Sequence, residues 1–121
     1  MARILIADDD PGAREVLGRI CEFHGHETEA VADPNKARTA YESFEPDVVI
    51  LDLSMPLGGG KAFLEGLRTS RPRHECPVIV VSGYVDAIGE QELLKLGAHA
   101  VVRKPVEVET MLEAVDSALA S

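Results

Sequence analysis

The chain has 121 residues, 45% of them hydrophobic and 27% charged, with 21 acidic residues against 12 basic and a formal net charge of -9. That length fits one folded domain with a real core, the composition is that of an ordinary soluble globular protein, and no apolar stretch is long enough to cross a bilayer. The acidic excess argues against direct nucleic-acid binding, since phosphates attract Lys and Arg, and favours a basic or cationic partner face.

Met1-Ala2-Arg3 passes directly into an apolar run without the long apolar segment and cleavage site of a secretory signal, so a cytoplasmic location is expected. Cys21 and Cys76 form no CxxC pair and read as buried reduced thiols. His24, His26, His74 and His99 are scattered, and only His24 and His26 are near neighbours, across a turn that ends a helix. Metal ligation by histidine is therefore disfavoured.

The first apolar run, ILIA, ends in Asp8 and Asp9. Asp10 as N-cap and Pro11 at the first helical position then start a helix, in which Ala13, Val16, Leu17 and Ile20 recur at helical spacing until Gly25. HETEAV reads as a weak strand near a sheet edge. Asp33 and Pro34 repeat the start signal, and Ala37, Ala40, Tyr41 and Phe44 form a second apolar stripe that stops before Pro46. DVVILD is a continuous apolar strand ending at Asp52. A third helix should begin near Gly60 and bury Phe63, Leu64 and Leu67, with Gly58, Gly59 and Gly60 loosening the loop before it.

The basic loop from Arg68 to His74 enters the amino end of the next strand, PVIVVS, so its arginines read as solvated charge on the side away from any carboxyl-end pocket. That strand ends at Ser82; Tyr84, two residues on, could overhang Asp52 and restrict an attacking water. A fourth helix is predicted from about Asp86 to Leu96 with Gly97 as its stop. AVVRKP delivers Lys104. In the last helix Val108, Met111, Leu112, Val115 and Leu119 make one apolar face, with Glu107 and Glu109 near its start, where negative charge is favourable. No internal repeat, low-complexity tract or linker interrupts the pattern.

Apolar runs alternating with helical periodicity indicate repeated βα units: an α/β fold with a doubly wound parallel sheet. Such sheets bury their strands on both faces and gather ligand-binding residues at the carboxyl ends. Asp8, Asp9, Asp52, Ser82 and Lys104 would then share one pocket. Three carboxylates at close range repel one another and require a cation. Mg²⁺ suits them, because it takes oxygen ligands and binds through a few carboxylates together with phosphate oxygens. Lys104 adds a mobile positive charge and Ser82 a hydroxyl, both suited to the equatorial oxygens of a phosphoryl group in transfer. The nucleophile is assigned to Asp52, which would form an acyl phosphate.

In this combination the chain resembles the receiver domains of bacterial two-component response regulators, over essentially its whole length. ILIADDDPGAR resembles the family's first strand and acidic pair, which implies metal-binding roles for Asp8 and Asp9. VVILDLSMP resembles the phosphoacceptor strand and turn, which implies that Asp52 is phosphorylated and that the Ser54 backbone carbonyl is a further Mg²⁺ ligand. VVSG puts Ser82 at the Ser/Thr switch position; RKP puts Lys104 at the phosphate-contacting lysine, before a cis bond to Pro105. The resemblance implies five strands in the order 2-1-3-4-5 flanked by five helices, the flavodoxin-like or CheY-like arrangement.

On this reading the chain is one receiver domain over residues 1–121 without an output domain. It is not an enzyme beyond its own phosphorylation and dephosphorylation. The expected donor is a histidine kinase or histidine phosphotransfer protein, and the downstream target a protein met through helix 4, strand 5 and helix 5, where Leu94 and Val101 lie. A leucine in so short a helix is also a common core residue. Val101 stands where the family commonly has Tyr or Phe, so a signal would travel through backbone shifts after Ser82 and around Lys104. Two other readings compete. A haloacid-dehalogenase-type phosphatase would use Asp8 as nucleophile and Asp10 as general acid, but Gly12 replaces its Thr and Asp52 is left idle; a receiver-like module that is never phosphorylated has no need of the acidic and lysine set.

Overall fold

A computed structural model describes residues 2–55, 59–70, 76–83 and 89–120, with only the backbone of 68–70. Five strands and five helices alternate along the chain: β1 (Arg3–Ala7), α1 (Pro11–Phe23), β2 (Glu27–Val31), α2 (Pro34–Phe44), β3 (Val48–Asp52), α3 (Gly59–Ser70), β4 (Val78–Ser82), α4 (Glu90–Lys95), β5 (Ala100–Arg103) and α5 (Val108–Ala120). All strand pairs are parallel and the sheet order is β2-β1-β3-β4-β5. Among the described residues no helix is long and apolar enough to cross a membrane.

Side-chain alternation splits the central strands between two cores. Ile4, Ile6, Val48, Ile50, Ile79 and Val81 pack on one face beneath α1 and α5, where Leu17, Cys21, Met111 and Val115 close the layer. Leu5, Ala7, Val49, Leu51, Val78 and Val80 pack on the other, against Tyr41 of α2, Phe63 and Leu64 of α3 and Leu93 of α4. β3 and β4 are buried at every position, as continuous apolar runs in the middle of a parallel sheet require. The weak strand β2 is only half-buried and lies at an edge, as its mixed sequence indicates. Cys21 and Cys76 are buried, and burial pushes the Cys21 thiol up to about 11.

Local signals act where the sequence puts them. The Asp10 carboxylate accepts the Gly12 N–H, the Asp33 carboxylate accepts the Lys36 N–H, and a proline follows each cap. Gly25 (φ 87°) and Gly97 (φ 107°) take the left-handed backbone that terminates α1 and α4. The predicted apolar stripes are partly misassigned, however. Val16 (54% exposed) and Val108 (52%) face outward, and α5 buries Met111, Val115 and Ala118 with Leu119 left exposed. α4 begins at Glu90, later than predicted; Asp86 and Tyr84 lie outside the described residues, as do Gly58 and residues 71–74 of the basic loop, whose first three residues close α3.

Gly59 and Gly60 belong to the first turn of α3 and act through close approach. A Cβ on Gly60 would sit 2.7 Å from the Leu53 Cα and 2.8 Å from the Asp52 carbonyl oxygen. Backbone cannot yield to it, so Gly60→Ala should destabilise the fold by about 1–3 kcal/mol in urea unfolding. Stability equal to wild type would show that α3 can move away from the β3 turn.

Candidate functional site

The chain reverses direction across the sheet between β1 and β3, and the carboxyl ends of those neighbouring strands present the acidic residues. Asp8 follows β1 and Asp52 closes β3; both are 1% exposed. Asp9 is exposed. One carboxylate oxygen from each of Asp8, Asp9 and Asp52 lies within 4.8 Å of the others. The Lys104 Nζ, beyond β5, is 3.5 Å from Asp52 Oδ2. Four of the residues singled out in the sequence therefore meet in one pocket.

Hydrogen bonds divide the oxygens of the two buried acids. Asp52 Oδ1 accepts the Ser54 N–H at 3.0 Å and the Ser54 hydroxyl at 2.8 Å; Asp8 Oδ1 accepts the Asp10 N–H at 2.9 Å. Asp8 Oδ2 and Asp52 Oδ2 are enclosed and accept no hydrogen bond. Burial, followed by the charge of Asp52, raises Asp8 to about 6, against its ordinary 3.8. Burial also works against the charge on Asp52. There the two Ser54 hydrogen bonds, hydrogen bonding with the Asp8 carboxyl and the charge of Lys104 prevail and hold the carboxyl below its usual range. Asp8 Oδ2, an enclosed carboxylate oxygen without a hydrogen-bond donor and grouped with oxygens of Asp9 and Asp52, is what a hard divalent cation satisfies.

Ser82 is 2% exposed at the end of β4, and its hydroxyl donates to the Gly83 carbonyl at 3.2 Å. Its own carbonyl accepts the Lys104 N–H at 2.8 Å, which ties the serine to the lysine through the β4–β5 ladder. The Lys104–Pro105 bond is cis, as the family resemblance implies. Asp10, the general acid of the phosphatase reading, is instead spent on the α1 cap. Leu94 is 43% exposed on α4 beside the buried Leu93, and Val101 is half-buried against the core.

Two contacts escape sequence reasoning. The Ser54 side chain holds the Asp52 carboxylate; Ser two residues after Asp is a common local turn pattern and was the available signal. Arg14 donates from Nη1 to the Asp8 backbone carbonyl at 2.8 Å, a bond that only the path of the turn reveals. A cleft of about 260 Å³ also opens beside the pocket, lined by Asp8, Lys104, Val16, Leu17 and Val106 among others.

The model of the response regulator receiver domain matches residues 4–116. The protein PilH of Pseudomonas aeruginosa is 31% identical over 120 residues, covering 99% of both chains. The DNA-binding response regulator MtrA of Mycolicibacterium smegmatis is 30% identical over 117 residues, and the regulatory protein AtoC of Escherichia coli is 32% identical over 117. The chain spans 50% of the former and 25% of the latter. Among solved structures, the receiver domain of NtrX from Brucella abortus superposes with a TM-score of 0.88 at 27% identity, covering 98% of each chain. A response regulator receiver domain protein from Clostridium thermocellum gives 0.89 at 27% identity, covering 99% of this chain and 95% of that one.

Proposed function

The chain belongs to the response regulator receiver domain family, whose members are phosphoacceptor switches of two-component signalling, and on that premise we propose that Asp52 is the residue phosphorylated. The observation that carries this assignment is the division of its oxygens. Oδ1 is held by two Ser54 donors, while Oδ2 accepts no hydrogen bond and faces Lys104. A buried carboxylate kept ionised, with one oxygen's lone pairs uncommitted and a cation beside it, is a poised nucleophile.

Asp8, Asp9, Asp52 and the Ser54 carbonyl would hold Mg²⁺, which when bound neutralises phosphoryl oxygens. Asp52 Oδ2 attacks the phosphorus of a phosphohistidine on a histidine kinase or phosphotransfer protein; the new O–P bond forms as the P–N bond to imidazole breaks. The Lys104 ammonium balances charge on the transferred group, which is mostly what phosphoryl transfer asks of a protein. Ser82 turns its hydroxyl from Gly83 to the acyl phosphate, and the hydrogen bond between its carbonyl and Lys104 carries both movements into the β5 backbone. With a half-buried Val101 against the core in place of an aromatic ring, this backbone path transmits the change towards Leu94 and the α4–β5–α5 face, where a downstream protein would bind.

Phosphotransfer profiling tests the assignment and finds the donor together. A panel of autophosphorylated histidine kinases should label wild type through at least one member and leave Asp52→Ala unlabelled. Equal labelling of the two proteins would refute Asp52 as acceptor.

A further inference from the structure

We propose that Arg14 is a positioning residue for the acidic turn, fixing the peptide that links Asp8 to Asp9 so that both carboxylates meet at one cation. The inference rests on the magnesium reading of the pocket.

The turn after β1 is built from hydrogen bonds that stack on one another. The Asp8 N–H donates to the Val31 carbonyl of the edge strand at 3.0 Å, which anchors the start of the turn to the sheet. The Asp10 N–H returns to Asp8 Oδ1 at 2.9 Å, and the Gly12 N–H to Asp10 Oδ1 at 3.1 Å. These bonds leave the Asp8 carbonyl to be placed, and that carbonyl lies in the peptide plane whose other end carries Asp9. Arg14 holds it from Nη1 at 2.8 Å, while the Arg14 N–H donates to the Asp10 carbonyl at 3.0 Å. The backbone bond is the ordinary first i→i−4 bond of α1, so the contact that belongs to this side chain is the guanidinium's hold on the Asp8 carbonyl, just before Asp9. Asp9 is the exposed member of the acidic trio and has the least packing of its own to direct it. Its Cα–Cβ direction follows from the peptide plane that Arg14 holds. A guanidinium suits the task because it is planar and presents its N–H donors in a fixed fork.

Groups that orient metal ligands from behind commonly change affinity about 10-fold or more when removed. Titration calorimetry of the full chain with MgCl₂ should therefore give Arg14→Ala an affinity about 10-fold weaker than wild type, with Arg14→Lys recovering part of the loss. The loss should persist at about 0.5 M salt, where charge acting through space is screened. Hydrogen exchange supplies a readout that needs no metal: the Asp10 amide should exchange faster in Arg14→Ala. Cys21→Ala, which loosens α1 away from the turn, should leave Mg²⁺ affinity unchanged. Should Arg14→Ala not fold, Arg14→Gln carries the same expectations. Wild-type affinity in the Arg14 variant, disappearance of its deficit at high salt, or an equal deficit in Cys21→Ala would each overturn the role. Absence of Mg²⁺ binding by wild type would instead remove the magnesium reading, and this role with it.

Discussion

Replacing Asp8 with asparagine should stabilise the metal-free protein at pH 7 by about 2–3 kcal/mol and slow Mg²⁺-dependent phosphorylation by about 100-fold or more. The stability effect follows from the raised value of Asp8, about 6 in the fold against an ordinary 3.8. A carboxyl whose proton is held more tightly in the folded state carries no penalty below the unfolded value, where it is protonated in both states. The cost grows as pH rises from about 4 to about 6 and is complete above that. The introduced amide would keep the oxygen that accepts the Asp10 N–H and offer an N–H towards Asp52 where wild type places a second negative charge. Urea unfolding at pH 4 and pH 7.5 checks this: the gain should be small at the lower pH and full at the higher. Mg²⁺ should stabilise wild type in the same upper range, because it requires the ionised carboxylate, and should do much less for Asp8→Asn. A variant no more stable than wild type at pH 7.5 would mean that Asp8 bears no electrostatic penalty.

Lys104→Met should lower the rate of phosphorylation by a small-molecule donor about 100-fold while leaving Mg²⁺ binding largely intact. Methionine keeps an unbranched apolar stem and removes only the ammonium beside Asp52 Oδ2. The acidic trio is untouched, so the cation still has its ligands, but the transferred group has lost the second positive charge that balances it. The same change alters acid stability. Asp52 is held below its ordinary value, so the stability it contributes is present above about pH 4 and lost as pH falls through its folded value. Without Lys104 that contribution shrinks, and the variant should lose stability at neutral pH relative to wild type. Intact-mass time courses with acetyl phosphate follow the rate. A rate within two-fold of wild type would remove Lys104 from the transfer step.

Much of this fold was legible because its strongest signals are local or belong to fully buried strands. DVVILD and PVIVVS read as central parallel strands from continuous apolarity alone, and Asp10-Pro11 and Asp33-Pro34 state helix starts through caps that form within a few residues. Strand ends then place Asp8, Asp52, Ser82 and Lys104 on one side of the sheet. What sequence could not supply is tertiary. Val16 and Val108 sit at acceptable helical spacing yet face outward, and Ala118 is buried where the larger Leu119 was expected, because inter-element packing decides the angle of each face. Gly59 and Gly60 read as looseness but serve contact with Pro34 and the β3 turn. Asp8 and Asp9 look equivalent as adjacent acids; one is enclosed and raised in pKa, the other exposed. The contacts of Ser54 with Asp52 and of Arg14 with the Asp8 carbonyl depend on turn geometry that residue types alone do not specify.

The most direct test of the central claim is where a phosphoryl group lands. The chain would be incubated with Mg²⁺ and acetyl phosphate, trapped, and mapped by peptide mass spectrometry. One label is expected, on Asp52, that requires Mg²⁺ and is absent from Asp52→Asn. A label on Asp8, or a label on Asp52 that forms equally well without divalent cation, would contradict it.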